Sequence, residues 1–322
     1  MNIQVELTNS GGVAGLSVVA NSFPVPGPGE ICLRHEAVGV NFIDIYQRIG
    51  LYPLPLPAVL GVEGAGIVEA IGEGVDTVHV GQRVVYAGQT GAYAARRVLP
   101  AWRAVCLPDA VDMRIAAASC LRGLTAHMLL NRTFSTRPGT VMLVHAAAGG
   151  LGATLTRWAK TLECTVIGTV STEAKAILAR ENGADHVIIG READFASEIG
   201  RLTSGRGVDF AVDGIGGATL AKTIACVCRF GIVASVGQAA GPIPPVDVEA
   251  LGPLRSISLA RPSVMAYAAE RDTYRTAMTA VIAAIEKGIF PQEVITYPLA
   301  QAAEAQQALE TGMTTGSLVL IP

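Results

Sequence analysis

Apolar and polar positions follow two different rhythms along the chain. Up to about residue 120, short apolar runs are separated by glycine and proline, the pattern of strands joined by tight turns. Residues 1–7 alternate like a strand, 24–30 form a cluster of breakers, and 31–40 read as a strand. Residues 61–72 read as a glycine-marked strand pair, and 81–88 and 91–98 continue the pattern, which predicts a small rolled β domain. Residues 41–52 interrupt it, mixing polar with apolar side chains and showing no turn signal before Gly50 and Pro53. A helical turn there puts Asn41 and Asp44 on one face.

Between Met113 and Leu130 the rhythm becomes helical, with Gly123 marking a break or a close approach. Arg137-Pro-Gly139 ends that segment, and from Val141 onward apolar strands alternate with helices. Strands are expected at 141–145, 164–169, 186–189, 207–213 and 231–237, and helices at 153–160, 173–182, 195–203 and 218–225. Apolar strands separated by helices predict a doubly wound parallel sheet covered on both faces. The proline-rich stretch 238–245 suits a loop beyond a strand end. A long helix over 267–287, a shorter one over 298–310 and a last strand over 316–321 follow. If that strand returns to the β domain, residues 1–122 and 263–322 enclose 123–262 and leave a ligand cleft between the two bodies.

At 322 residues the chain exceeds what one core usually holds, which agrees with two domains. Charge is nearly balanced, 24 Lys and Arg against 27 Asp and Glu, so no basic field exists to hold nucleic acid. The six cysteines are dispersed without a disulfide-framework spacing, which fits a reducing, cytoplasmic setting, and Cys226 and Cys228 read as thiols of a helix-to-strand connection. The first residues carry an acid and alternate, unlike a signal peptide, and no run of 18 apolar residues suggests a membrane span.

The chemistry centres on Val141-Met-Leu-Val-His-Ala-Ala-Ala-Gly-Gly-Leu-Gly152. Strand, glycine turn and helix form the opening of a dinucleotide-binding unit: Gly149 and Gly150 have no side chain to hold a pyrophosphate away from the helix N-terminus. Against the G-x-G-x-x-G pattern the aligned residues are Ala147, Gly149 and Gly152, so the first glycine is missing. At the end of the next strand Val170 stands where an NAD site usually places an acid. Nothing there repels a 2′-phosphate, while Ser171 can donate a hydrogen bond and Lys175 supplies charge, unless Lys175 is simply a solvated helix residue. His145, inside a strand, reads as a satisfied core residue rather than a base, and His127 reads the same way.

Asn41-Phe-Ile-Asp-Ile-Tyr-Gln-Arg-Ile-Gly-Leu-Tyr52, Gly61-Val-Glu-Gly-Ala-Gly66, Gly123-Leu-Thr-Ala126, His145-Ala-Ala-Ala-Gly-Gly-Leu-Gly152 and Thr314-Thr-Gly-Ser-Leu318 occur in this order from one end of the chain to the other. Together they make the chain resemble the quinone oxidoreductase, or zeta-crystallin-like, branch of the zinc-free medium-chain dehydrogenase/reductases. The resemblance implies an α/β protein, a doubly wound Rossmann-type parallel sheet plus a GroES-like, mainly β domain. It implies reduction of quinones by NADPH in a homodimer, with hydride passing from nicotinamide C4 to the acceptor. Zinc-free relatives also reduce enals and enones, and some members bind nucleic acid or serve as lens proteins. An NADPH-dependent alkene reductase and a non-enzymatic NADPH-binding protein are therefore the alternatives.

Carried over by residue, the resemblance makes Asn41 and Asp44 polar cleft positions and places Tyr46 and Tyr52 near nicotinamide and substrate. Thr125 lies near the nicotinamide, Ala148, Gly149, Gly150 and Leu151 form the pyrophosphate turn, and Lys175 reads the adenosine phosphate. Tyr46 either donates a hydrogen bond to the developing oxyanion or shapes the pocket. Asn41 serves either the cleft or a helix cap, and Asp44 reads rather as an organiser of its loop. Zinc-dependent relatives have Gly-His-Glu where this chain has Gly61-Val62-Glu63, and Glu63 has no Cys or His partner near it in sequence, so no metal is expected. The chain departs from the family in lacking an aromatic near Gly190 and a basic residue near Met313; Arg191 and Arg261 are the candidates to compensate.

Overall fold

A computed structural model describes residues 2–290, 293–312, 314 and 316–322. Thr315, in the C-terminal part of the resemblance, and Met313, near which the family carries a basic residue, lie outside the described residues. The chain divides into two compact units, one made of residues up to Leu124 together with Val264–Pro322, the other of Thr125–Ser263.

The first unit is built on strands β1 (Ile3–Leu7), β2 (Leu16–Ala20), β3 (Glu30–Val40), β4 (Ala58–Val59), β5 (Glu63–Ile71), β6 (Arg83–Ala87), β7 (Arg96–Pro100) and β8 (Val105–Cys106). Helices α1 (Phe42–Arg48), α2 (Met113–Ala117) and α3 (Cys120–His127) belong to the same stretch. Strands β1, β2 and β4 form a small sheet, and β3, β5, β6, β7 and β8 join a larger antiparallel one. Residues 61–72, expected as a strand pair, make one continuous strand, β5. Their glycines serve close approach rather than a turn: a Cβ on Gly66 would stand 2.0 Å from the Arg34 carbonyl oxygen, and one on Gly64 2.8 Å from the His35 ring. His35 itself is buried, bonded through Nδ1 to the Ala94 carbonyl and through Nε2 to the Tyr86 hydroxyl, and burial pushes its pKa down to about 3.

The second unit contains β9 (Val141–His145), α4 (Gly150–Thr161), β10 (Thr165–Val170), α5 (Glu173–Glu181), β11 (His186–Ile189), α6 (Phe195–Leu202), β12 (Val208–Asp213), α7 (Thr219–Ala225), β13 (Val227–Ser235) and β14 (Ser258–Ala260). All six strands run parallel in the order β11-β10-β9-β12-β13-β14. The order reverses between β9 and β12, so the turn after β9 sits at the switch point where open α/β sheets bind ligands. The core is apolar on both faces, with Leu143, Ile167, Phe210, Ala211 and Val233 almost inaccessible. The short edge strand β14 has no apolar run to betray it in the sequence.

The chain then re-enters the first unit through α8 (Val264–Tyr267), α9 (Arg271–Glu286), β15 (Val294–Pro298), α10 (Ala302–Glu310) and β16 (Ser317–Ile321). The long helix expected over 267–287 is α9, which starts only at Arg271 because Glu270, in extended dihedrals, is its N-cap, while Tyr267 ends the short helix α8. Pro298, expected to open a helix, closes β15 instead. Strand β16 pairs with β3 antiparallel and with β15 in parallel, placing the chain end inside the sheet of the first unit. Gly123 lets α3 press on this returning segment, since a Cβ there would lie 2.6 Å from Val281 and 2.9 Å from Phe290.

Candidate functional site

In the second unit the site-forming element is the turn from β9 to α4. Ala146 adopts φ +51°, so an alanine takes the left-handed position at the head of this turn, at a modest conformational cost. The Gly149 N–H donates to the Ala146 carbonyl at 2.8 Å, which closes the turn, and a Cβ on Gly152 would stand 2.3 Å from the same oxygen. Helix and strand can meet this closely only because residue 152 is glycine. Gly149 caps α4 with no side-chain hydrogen bond, so the amides of its first turn face outward as an anion cradle. Gly149 is exposed, and Ala148, Gly150 and Leu151 are partly so, which leaves this cradle accessible.

Beside it, β10 ends in buried Val170, Ser171 follows half-buried, and Thr172 caps α5 by accepting the Lys175 N–H at 3.3 Å. Lys175 therefore stands in the first turn of α5, where the helix dipole adds to its charge. Arg261 donates to Ser235 Oγ at 2.8 Å, at the carboxyl end of β13 and on the same edge of the sheet as the glycine turn. Exposed Arg191 follows β11. His145 is a satisfied core residue: its ring nitrogens meet Thr169 Oγ1 and Thr223 Oγ1 at 2.8 Å each, and Thr223 donates on to buried Asp213. Thr125, on α3, is half-buried. The neighbouring Gly123 spends its missing side chain on Val281 and Phe290.

In the first unit the residues of the 41–52 segment converge on α1. Asn41 is its N-cap, and its backbone N–H donates to Asp44 Oδ2 at 2.8 Å in a capping-box arrangement. Asp44 is fully buried and also accepts from the Tyr93 hydroxyl at 3.0 Å, while its Oδ1 has no hydrogen-bond partner among the described residues. Burial pushes its pKa up to about 7 against the opposing pull of those two donors. Tyr46 is buried at 9% exposure with its ring edge-on to Tyr52, centroids 5.5 Å apart, and the Phe42 ring centroid lies 6.2 Å away, tilted to it. Tyr52 is exposed, as are Phe42, Ile49, Leu51 and Leu56, so α1 and its continuation carry an open aromatic and aliphatic face.

Near α1 lies Glu63, which the sequence reading considered only to set it aside as a metal ligand. It is 1% exposed; Oε1 accepts from Asn41 Nδ2 at 2.7 Å and Oε2 from the Leu121 N–H at 2.6 Å. Both oxygens are thus spent on protein donors. Among the described residues no group of three or more His, Cys, Asp or Glu side chains is placed to hold a metal ion. Tyr93 and Arg48, the other members of this buried polar cluster, also escaped the sequence reading; the one available hint was a carboxylate among glycines in an otherwise apolar strand.

A doubly wound parallel sheet with a glycine turn at its switch point and a GroES-like, mainly β unit define a medium-chain dehydrogenase/reductase. Family models agree: one described as alcohol dehydrogenase GroES-like domain matches residues 27–109, and one described as zinc-binding dehydrogenase matches 150–283. The chain is 38% identical to the quinone oxidoreductase of Salmonella typhimurium over the whole length of both proteins. It is 40% identical to a 2-haloacrylate reductase from a Burkholderia species over 92% of each chain. The solved structure of Escherichia coli quinone oxidoreductase complexed with NADPH superposes with a TM-score of 0.95 at 38% identity, covering 99% of this chain and 100% of that one. The chain belongs to the quinone oxidoreductase, or zeta-crystallin-like, family of zinc-independent medium-chain dehydrogenase/reductases.

Proposed function

We propose that the protein is an NADPH-dependent quinone reductase that needs no metal. The observation that carries this reading is the full-length similarity to quinone oxidoreductases, one of them solved with NADPH. The glycine cradle, the absence of an acid at Val170 and the position of Lys175 support the cofactor assignment. Bound NADPH supplies a hydride to the acceptor.

The chain's own residues bind and orient. Amides of Gly149, Gly150 and Leu151, with Ala148 shaping the turn, hold the pyrophosphate at the N-terminus of α4. Ser171 and Lys175 hold the adenosine phosphate, and Thr125 contacts the nicotinamide. Tyr46 and Tyr52 flank a planar acceptor, and the Tyr46 hydroxyl donates toward the oxygen on which negative charge gathers. The reduced quinone oxygen is resonance-stabilised, so water completes protonation without a strong protein acid. Asn41 and Asp44 are assigned to holding α1 and, through it, Tyr46; their burial and mutual hydrogen bond support this role over direct contact with either ligand.

Initial rates of NADPH oxidation, with NADH in parallel, by an ortho-quinone, a para-quinone and a conjugated enone test the assignment. Turnover with a quinone supports it, and no quinone turnover despite NADPH binding overturns it. The similarity to a 2-haloacrylate reductase favours reduction of an activated carbon-carbon double bond as the second reading. Enone turnover without quinone turnover would select that reading.

Lys175→Ala is expected to weaken NADPH about tenfold, the value of one charge-assisted hydrogen bond, and to leave NADH within about twofold. Equal losses for both cofactors in a fluorescence titration would return Lys175 to a solvated helix face. Tyr46→Phe should lower kcat/KM for a quinone by about tenfold at most, whereas Tyr46→Ala, which also removes the ring packed on Tyr52, should cost more. Turnover and acceptor affinity unchanged in Tyr46→Phe would remove the hydroxyl from the mechanism.

A homodimer is proposed through the β14 edge of the six-stranded sheet, where β14 has no second strand partner among the described residues and Phe230 and Leu254 are 81% and 83% exposed. Light scattering at working concentration decides it: a mass near the 33.3 kDa of one chain would refute the dimer.

A further inference from the structure

The buried carboxylate of Glu63 has no part in the assignments above, yet it joins two elements of the first unit that are far apart in sequence. Strand β5 carries it, α1 approaches through the Asn41 side chain and α3 through the Leu121 backbone N–H. Room for it is built in: a Cβ on Gly39, in β3, would lie 2.4 Å from Glu63 Oε1, so a glycine in the paired strand keeps the space for the carboxylate. Both donors point at carboxylate oxygens, and neither contact is compatible with a second donor in that place.

We propose that Glu63 is a positioning residue of the reduction site: its carboxylate ties the N-cap of α1 to the first turn of α3 and thereby sets where Tyr46 stands. This rests on the reading of α1 as the acceptor-binding element. The clamp works with Glu63 ionised, because a proton on either oxygen replaces an acceptor with a donor facing Asn41 Nδ2 or the Leu121 N–H. Burial raises the Glu63 pKa to about 7, while Asn41, the Leu121 N–H, Arg122 and the Cys120 N–H pull the other way. The titratable and charged groups facing it are Asp44 from α1, the Cys120 thiol and Arg122 from α3, and the Tyr86 hydroxyl from β6. The Glu63 charge in turn disfavours ionisation of Asp44.

The test is Glu63→Gln, nearly isosteric but with one acceptor replaced by a donor. The KM for a quinone is expected to rise about tenfold, with kcat within about threefold and the NADPH dissociation constant changed by less than the KM, since the pyrophosphate turn and the Lys175 site assigned to the cofactor lie away from the clamp. In the wild type kcat/KM for the quinone should fall as pH drops below about 7; in the variant the limb due to Glu63 should be gone, and any fall left by Asp44 should lie at lower pH because Asp44 has lost its charged neighbour. A wild-type profile without the acid limb, or a variant limb at the wild-type position whatever its KM, overturns the proposal. Amide hydrogen exchange reads the clamp without turnover: Leu121 and the α1 amides should exchange faster in the variant, and unchanged exchange overturns it. If the wild type turns over no quinone, the functional reading fails while the exchange experiment still decides the clamp.

Discussion

Gly152→Ala is expected to abolish NADPH binding, raising the dissociation constant at least about a hundredfold, or roughly 2.7 kcal/mol. The added Cβ would stand 2.3 Å from the Ala146 carbonyl oxygen and 2.9 Å from Ala146 C and Ala147 Cα, all of them backbone. No side chain can swing away to relieve the clash. Ala146 already sits at φ +51° and its carbonyl accepts the Gly149 N–H, so the one available relief is to open the turn proposed to present its amides to the pyrophosphate. Titration of NADPH fluorescence measures the loss, and circular dichroism confirms that the chain remains folded. Binding within about threefold of wild type would show that the β9–α4 turn does not hold the cofactor.

Arg48→Leu is expected to destabilise the first unit by about 3 kcal/mol. The Arg48 side chain is 2% exposed and ties α1 to two distant segments, the Gly11 turn and α10: Nε donates to the Gly11 carbonyl at 3.1 Å, Nη1 to Gln306 Oε1 at 3.2 Å and Nη2 to Glu310 Oε2 at 2.7 Å. Removing the guanidinium leaves the buried Gln306 oxygen and the half-buried Gly11 carbonyl without their donor, and a buried orphan costs about 1–3 kcal/mol. Glu310 is 44% exposed, so its share of the ion pair is screened, and Glu310→Ala should cost no more than about 1 kcal/mol. Denaturant unfolding separates the two. Near-equal effects would mean that the ion pair, rather than the buried carbonyl and amide acceptors, carries the stabilisation.

The glycine turn, the alternating strands and helices of the second unit and the returning C-terminal strand were legible because each has a local signature: apolar runs of strand length, glycine at a turn, a cap residue before a helix. The misreadings had local causes as well. Glycines in 61–72 looked like turn markers, but Gly64 and Gly66 make room for His35 and Arg34 on the neighbouring strand, which no pattern within β5 reveals. The helix expected from 267 starts at Arg271, because Glu270 is extended and caps it, which the apolar stripe does not mark. Asn41 and Asp44 were recognisable as a polar pair three residues apart. That their groups turn inward onto each other, Tyr93 and Glu63 depends on strands not yet placed.

By itself the sequence determined the kind of elements, their order, the glycine cradle at the start of α4 and the lack of an acid after β10. These follow from short-range sterics, hydrogen-bonding capacity and the period of burial, all of which act within a few residues. Only the tertiary structure decided which buried polar groups meet. Glu63 finds Leu121 across 58 positions and Arg48 finds Gln306 across 258. The low-dielectric interior makes such partnerships obligatory, since a buried polar group without one is costly, but it leaves their choice to the packing of distant strands and helices.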